Sequence, residues 1–129
     1  MKNVTVTGAI IQEGEKFLIG RRGPNEKSPG MWEFPGGKLE EGESLQECIK
    51  RELKEELSID AVVGDLYCYY TYEYPHVSYE LYFYKITSFK GEPAKSAHDM
   101  LEWERLENFN KYDFLPGDDP VIEKLISDN

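Results

Sequence analysis

The chain has 129 residues, of which 31% are charged and 40% hydrophobic, and its formal net charge at pH 7 is -10. This size and composition predict one domain over residues 1–129 that buries roughly two thirds of the surface exposed by the unfolded chain. The excess of 25 acidic over 15 basic residues argues against nonspecific nucleic-acid binding, which depends on a basic surface. No apolar run approaches the roughly 18 residues of a membrane span, and the 2 cysteines are too few for a disulfide framework, so we expect a cytoplasmic protein.

The first part of the chain predicts three strands. Alternating apolar residues at 3–11 and 17–22 predict a β-hairpin. A loop rich in Gly and Pro follows, and then a short strand at 31–34. We expect the Pro-Gly-Gly segment at 35–37 to end that strand.

The second part predicts two helices around a group of longer strands. The first helix is predicted from Ser44 to about Leu57, because Ser44 and Glu47 have the spacing of a capping box. A terminal helix is predicted with Asp119 as its cap and Pro120 at its first position. Between the helices, aromatic and β-branched residues predict strands at 60–74, 77–87 and 100–106, with a polar loop at 88–99. Strands on both sides of a central helix indicate a mixed α/β or α+β sandwich.

Three glutamates of the first helix are placed unusually. With a step of about 100° per residue, Glu52 and Glu56 fall inside the apolar face of the helix, and Glu55 falls on its edge. The apolar face consists of Leu45, Cys48, Ile49, Leu53 and Leu57. A solvated mixture of Glu and Lys is the usual interpretation of a charged helix, and it does not account for these three positions.

A cation explains the three glutamates better. Two carboxylates about 5 Å apart repel by about 3 kcal/mol at an effective dielectric near 20, and partial burial adds a desolvation cost. Arg51 could neutralise one of them, and it is equally well placed to reach back to Glu43. Because hard oxygen ligands suit Mg²⁺ or Mn²⁺, a divalent cation is the favoured interpretation.

The residues around this helix resemble the Nudix box, GX5EX7REUXEEXGU, in which U is a bulky aliphatic residue. Gly37, Glu43 and the segment "RELKEELSI" at 51–59 match eight of its nine specified positions. The departure is Ser58, which stands where the family has Gly, and we expect a distorted or differently capped helix end there. The segments "WEFPGGKLEEGES" and "FLPGDDPVIEKL" extend the resemblance to the MutT-like branch.

The resemblance implies a fold, a reaction and a site. The fold is the Nudix α/β/α sandwich with a mixed β-sheet between helices, and the reaction is Mg²⁺-dependent hydrolysis of a nucleoside triphosphate to a nucleoside monophosphate and pyrophosphate. The partner is a small-molecule nucleotide, and the protein is expected to be a monomer or homodimer. The residues so implied are Glu52, Glu55, Glu56 and the carbonyl of Gly36 for the metal, Glu43 and Arg51 as an ion pair, Arg22 for phosphate, and Phe34 for the base pocket.

Two positions depart from the MutT-like pattern. Ala97 stands where these enzymes carry a Glu that serves as metal ligand or general base, so Asp99, His98 or Glu56 takes that role or turnover is slow. A lone loop histidine such as His98 is more often an incidental surface residue. Asp118 matches an Asn that contacts the base, and an ionised carboxylate there accepts hydrogen bonds only, either from an exocyclic amine of cytosine or adenine or from N1 and N2 of a guanine-type base.

Several functions remain open at this point. The leading one is hydrolysis of an oxidised or modified dNTP, such as 8-oxo-dGTP, or of a CTP-type nucleotide, with Tyr79 stacking on the base or lying in the core. The second is a nucleotide-sensing Nudix module with little catalysis, which Ala97 favours. Another is a Nudix hydrolase of a different nucleoside diphosphate derivative, and the last is an acidic interaction helix that binds no metal.

Overall fold

The computed structural model describes residues 2–129 of the chain. Within this range it has two α-helices, α1 at Leu45–Leu57 and α2 at Asp119–Asp128. The strands are β1 Lys2–Glu13, β2 Lys16–Arg22, β3 Trp32–Glu33, β4 Gly36–Lys38, β5 Asp60–Glu73, β6 Val77–Lys90 and β7 His98–Arg105. Two 3₁₀ helices, Leu106–Lys111 and Pro116–Asp118, lead into α2. Neither α-helix of residues 2–129 is long and apolar enough to cross a membrane.

The strands form one mixed sheet around β1. Most of β1 runs parallel to β6, its middle pairs antiparallel with β4, and its last residues pair antiparallel with β2. The strand order is β3-β2-β1-β6-β5, and β7 is antiparallel to β2. A strand that must satisfy partners on both sides lies inside the sheet, which places β1 at its centre.

Each face of the sheet carries one helix and one hydrophobic core. Ile11 of β1 packs with Ile49 and Leu53 of α1 on one face, and Ile10 packs with Val121 and Leu125 of α2 on the other. Successive side chains of a strand point to opposite faces, so the continuous apolar run in β1 fills both cores. The predicted α/β/α sandwich with a mixed sheet is therefore confirmed.

The predicted capping box at the start of α1 is confirmed, and the prediction for its end at Ser58 is corrected. The Ser44 hydroxyl accepts from the Glu47 amide at 3.1 Å, and the Glu47 side chain accepts from the Ser44 amide at 2.8 Å. The expected distortion at Ser58 is wrong, because Ser58 adopts the left-handed conformation (φ 60°, ψ 32°) and its N–H bonds to the carbonyls of Leu53 and Lys54. A serine thus closes the helix in the conformation that usually favours Gly.

Three other boundaries differ from the predictions. The glycine segment does not only end a strand, because Gly36–Lys38 forms β4 against β1. The loop expected at 88–99 is shorter, since β6 continues to Lys90 and β7 begins at His98. Asp119 is the first residue of α2 rather than its cap; Asp118 holds the cap position without a side-chain capping bond.

Candidate active site

A cleft of about 530 Å³ opens between β1, β4, β6 and the segment that leads into α2. Gly36 and Gly37 supply part of its wall. A Cβ at Gly36 would lie 2.0 Å from the Thr7 carbonyl oxygen, and one at Gly37 would lie 2.3 Å from the Glu52 carboxyl carbon. Glycine is therefore required at position 36, where the close neighbour is backbone, whereas at position 37 its absent Cβ leaves room for the Glu52 carboxyl group against the cleft wall.

Arg51 joins three glutamates of the predicted site. Its guanidinium donates to Glu43 at 2.6 and 3.0 Å, to Glu52 at 2.8 Å and to Glu55 at 3.1 Å. The bidentate contact, with help from the Glu40 amide, lowers the pKa of Glu43 to about 2, and the same contact raises the pKa of Arg51. We call Glu43, Glu52 and Glu55 around Arg51 the outer group. The predicted pairing of Glu43 with Arg51 is present, and Arg51 donates hydrogen bonds to three carboxylates where one had been expected, with a fourth, that of Glu40, at 3.5 Å.

Glu56 lies in a different environment. Its side chain is 10% exposed, compared with 60% for that of Glu55. Burial, followed by repulsion from Glu33 and Glu52, raises the pKa of Glu56 to about 9. Its Oε2 is buried and accepts no hydrogen bond from the described residues. The angular pattern placed Glu52 and Glu56 inside the apolar face and Glu55 on its edge, and the structure agrees.

The half-buried Glu33 and the buried His98 form a group with the buried Glu56. His98 Nε2 lies 2.9 Å from Glu33 Oε2 and 3.9 Å from Glu56 Oε1. One ligand atom from each of the three residues lies within 4.8 Å of the other two, close enough to share a metal ion. We call these three residues the inner cluster. His98 is 4% exposed, so the expectation of an incidental surface histidine is wrong.

Arg22 borders the cleft beside the inner cluster. Its Nη1 donates to Glu33 Oε1 at 3.0 Å, and its Nε donates to the Lys27 carbonyl. The side chain is 22% exposed and shares the cleft wall with Lys27 and Lys38. These three basic side chains of the cleft lining provide the positive charge that a phosphate chain requires.

Phe34, Tyr79 and Asp118 line another part of the cleft. Phe34 is buried and packs against Phe83 at 6.1 Å, so it belongs to the core as well as to the cleft wall. The Phe34 amide donates to Asp118 Oδ2 at 2.9 Å. Burial raises the pKa of Asp118 well above its usual range, an effect that the Phe34 amide opposes. This shift favours the protonated carboxyl, which donates as well as accepts.

The structure separates the residues that could stand in for the glutamate missing at Ala97. Asp99 binds Arg21 through two hydrogen bonds of 2.8 and 3.1 Å and lies apart from the inner cluster. His98 and Glu56 both belong to that cluster. Sequence reasoning missed Glu33, although a charged residue between the buried Trp32 and Phe34 was an available signal.

Comparison with known proteins identifies relatives along nearly the whole chain. The family described as NUDIX domain matches residues 1–125. A CTP pyrophosphohydrolase of Escherichia coli is 33% identical over 127 residues, covering 98% of this chain and 94% of the relative. An 8-oxo-dGTP diphosphatase of the same organism is 35% identical over 126 residues, covering 97% and 98%. The crystal structure of the MutT protein from Methanosarcina mazei superposes with a TM-score of 0.87 at 27% identity, covering 99% of this chain and 96% of that one.

Proposed function

Since the chain belongs to the Nudix family and is a hydrolase of phosphorus-containing anhydrides, we propose that it cleaves a nucleoside triphosphate to a nucleoside monophosphate and pyrophosphate with Mg²⁺. Mn²⁺ is the alternative cation. The observation that carries the proposal is Glu56, a buried carboxyl with an unpartnered oxygen among the described residues, beside Glu52 and beside the cleft residue Glu33.

The residues around Glu56 fit a hard divalent cation. Carboxylate oxygens are the ligands that Mg²⁺ prefers, and Glu52, Glu55 and Glu56 present them from one helix. Gly36, whose carbonyl we propose as a further ligand, lies on β4 at the cleft wall. A bound Mg²⁺ would neutralise phosphate charge and lower the pKa of a water molecule.

The remaining site residues bind and orient the nucleotide in this proposal. Arg22, with Lys27 and Lys38, would hold the phosphate chain by charge-assisted hydrogen bonds. The ion pair of Glu43 and Arg51 would fix the loop before α1, which keeps Glu52 against Gly37. These contacts position reacting groups before the reaction begins, which removes entropy cost from the barrier.

Base recognition is proposed for Phe34, Tyr79 and Asp118. The two aromatic rings would contact the faces of the base, and Asp118 would bind its polar edge. The raised pKa changes the expectation for Asp118, because a protonated carboxyl can donate to N3 of cytosine while accepting from its amine. The names of the relatives, a CTP pyrophosphohydrolase and an 8-oxo-dGTP diphosphatase, support modified guanine or cytosine nucleotides as the substrates to test first.

A panel of nucleoside triphosphates with Mg²⁺ tests this function. It contains 8-oxo-dGTP, dGTP, dCTP, 5-methyl-dCTP and CTP, and pyrophosphate and phosphate release are measured separately. We expect pyrophosphate from at least one of them. Nucleotide-dependent stabilisation without pyrophosphate would support the sensing function that Ala97 favours.

The same panel with Asp118→Asn tests the base contact. We expect a shift of kcat/KM toward guanine-type bases, because the amide offers both a donor and an acceptor at every pH, whereas Asp118 offers only acceptors whenever it ionises. A substrate ranking identical to that of the wild type would remove Asp118 from base recognition.

A further inference from the structure

A bulge in the β2–β7 pairing and the glycine at position 20 leave room for the buried ring of His98. His98 pairs with Arg22 across β7 and β2, and a bulge between Arg21 and Arg22 shifts the register there. Asp99 therefore points to Arg21, while the ring of His98 packs over Gly20, where an added Cβ would lie 2.6 Å from its Cδ2. The glycine and the bulge together direct His98 to the inner cluster.

The hydrogen bonds of His98 favour a donor role over a metal-ligand role. Nε2 lies 2.9 Å from the carboxylate of Glu33, and because a carboxylate only accepts hydrogen bonds, Nε2 carries the proton and donates. A histidine that binds metal almost always donates its second ring N–H to a partner. Nδ1 of His98 is buried and has no hydrogen-bond partner in residues 2–129, so a proton moved there on metal binding would be left unpaired.

Glu33 connects His98 to the cleft. Its Oε2 accepts from His98, and its Oε1 accepts from Arg22 Nη1 at 3.0 Å. With both oxygens engaged, the carboxylate cannot turn without losing one of the two bonds. Arg22 in turn is fixed at its Nε by the Lys27 carbonyl. The guanidinium is therefore oriented by a chain of hydrogen bonds that begins at a buried ring.

We propose that His98 is a positioning residue: it fixes Glu33, which holds the Arg22 guanidinium in the orientation that binds the phosphate chain of the substrate. This inference rests on the proposed function for the presence of a phosphate chain in the cleft. It assigns to His98 no contact with the reacting atoms and no metal.

Two amide substitutions of His98 test whether its Nε2–H acts as the hydrogen-bond donor to Glu33. His98→Gln can place its amide nitrogen near the position of Nε2, whereas the shorter His98→Asn cannot. We expect His98→Asn to weaken binding of a non-hydrolysable nucleoside triphosphate analogue on the order of tenfold, and His98→Gln to stay within about threefold of the wild type. In turnover, the loss should lie in KM more than in kcat. Calorimetric titration and steady-state kinetics measure these values, with circular dichroism to confirm the fold.

A double-mutant cycle with Arg22 separates positioning from general destabilisation. If His98 acts through Arg22, His98→Asn should have little further effect on analogue affinity in an Arg22→Gln background. Additive losses, or equal losses for His98→Gln and His98→Asn, would overturn the proposal, because they indicate a structural role alone. The cycle measures binding only, so its result is independent of the activity assay. If the wild type releases pyrophosphate but the losses of affinity are additive, this inference is contradicted and the proposed function is not. Non-additive losses in the cycle, together with no hydrolysis of any nucleotide, would support this inference and contradict the proposed function.

Metal binding gives an independent readout. The chain has 2 histidines, His76 and His98, so imidazole nitrogen coupling to bound Mn²⁺ can be assigned by electron spin-echo spectroscopy. We expect the Mn²⁺ spectrum to show no coupling to a histidine nitrogen and the Mn²⁺ affinity to change less than threefold in His98→Asn. A nitrogen coupling that persists in His76→Gln and disappears in His98→Gln would make His98 a ligand and overturn the proposal.

Discussion

The outer group and the inner cluster solve the same electrostatic problem in different ways. In the outer group, Arg51 donates to three carboxylates, and Glu55, the exposed one, is also solvated. In the inner cluster, Arg22 reaches Glu33 and not Glu56, whose carboxyl is buried and repelled by its neighbours. Solvent and Arg51 therefore stabilise the carboxylates of Glu52 and Glu55. Glu56 has neither, so a bound cation would stabilise its ionised form most.

The glutamates of α1 differ in whether a positive group of the protein already contacts them. Three glutamates on one helix suggested a cation for all of them, and the guanidinium of Arg51 supplies it for Glu52 and Glu55. The pair with the exposed Glu55 contributes little to stability, so it can be exchanged for a metal contact at small cost. A buried carboxyl without a partner is costly, and proteins keep such groups where function requires them.

The largest effect is expected from neutralising Glu56. Glu56→Gln should lower turnover by several orders of magnitude, because the amide carries no charge to hold a divalent cation. The Tm at pH 8 should stay equal or rise, because Glu56, whose pKa is about 9 when folded and 4.5 when unfolded, must take up a proton on folding, whereas Gln takes up none. Pyrophosphate release and calorimetric unfolding measure the two quantities.

Glu55→Gln tests the contrast between the two groups. Its turnover should also fall by several orders of magnitude, but its Tm should not rise, because its exposed carboxylate is paired with Arg51. Glu47→Gln is the matched control on α1, since Gln also serves at the third position of a capping box. Rates like those of the wild type in both Glu55→Gln and Glu56→Gln would contradict the metal-site assignment.

The next effect concerns the carboxylate missing at Ala97. Ser96 Oγ donates to the carbonyls of Glu55 and Glu56 at 2.8 Å each, and His98 belongs to the inner cluster, so position 97 lies beside Glu56. Ala97→Glu should therefore raise Mg²⁺ affinity and turnover on the order of tenfold, which is roughly 1.4 kcal/mol. Mg²⁺ titrations of activity measure this, with Ala97→Gln as the uncharged control. Identical Mg²⁺ dependence in the wild type and both variants would show that the missing carboxylate does not limit the reaction.

A smaller effect is expected from the ion pair of the outer group, and it depends on pH. The pKa of Glu43 in the folded state is about 2, below its usual value of 4.5, so its contribution to stability is present above about 4.5. As the pH falls from 4.5 toward 2, the folded carboxylate takes up its proton and that contribution is lost. The Tm of Glu43→Gln should thus lie below that of the wild type at pH 7 and approach it at pH 3.

The control for this experiment is Glu41→Gln, an exposed position two residues earlier. It should leave the acid limb of the Tm profile unchanged. A difference between the wild type and Glu43→Gln that stays constant from pH 7 to pH 3 would contradict a role for the ionised pair.

Local signals in the sequence predicted the elements well, and distant contacts explain what they missed. The capping box at Ser44 and the apolar face of α1 depend on residues a few positions apart, so they could be read directly. Strand β4 could not, because Gly36 is required there by close approach to Thr7 of β1, which is far away in the sequence. Distant pairings of this kind leave no period in the sequence.

The site also combines contacts within one element, which spacing predicts, with contacts between distant elements, which it does not. The box glutamates lie within one helix, and spacing predicted that Glu52 and Glu56 lie in its apolar face and Glu55 on its edge. The inner cluster brings together β3, α1 and β7, so Glu33 escaped notice and His98 was taken for a surface residue. Asp118 was expected to be ionised, and only its burial in the folded chain favours the protonated form.

The smallest expected effect comes from the link between the two groups. Ser96 is the side chain that ties the entry of β7 to the end of α1. Ser96→Ala should lower the free energy of unfolding by about 0.5–1.5 kcal/mol, the usual value of a hydrogen bond, since two carbonyls lose one shared donor. Because the link positions β7 beside Glu56, Mg²⁺ affinity should fall slightly, whereas the acid limb that reports on Glu43 should not move. Denaturant unfolding and Mg²⁺ titration measure these effects against Ser127→Ala, an exposed serine of α2. A shifted acid limb in Ser96→Ala would mean that the outer group and the inner cluster are coupled, and their separate treatment would then be wrong.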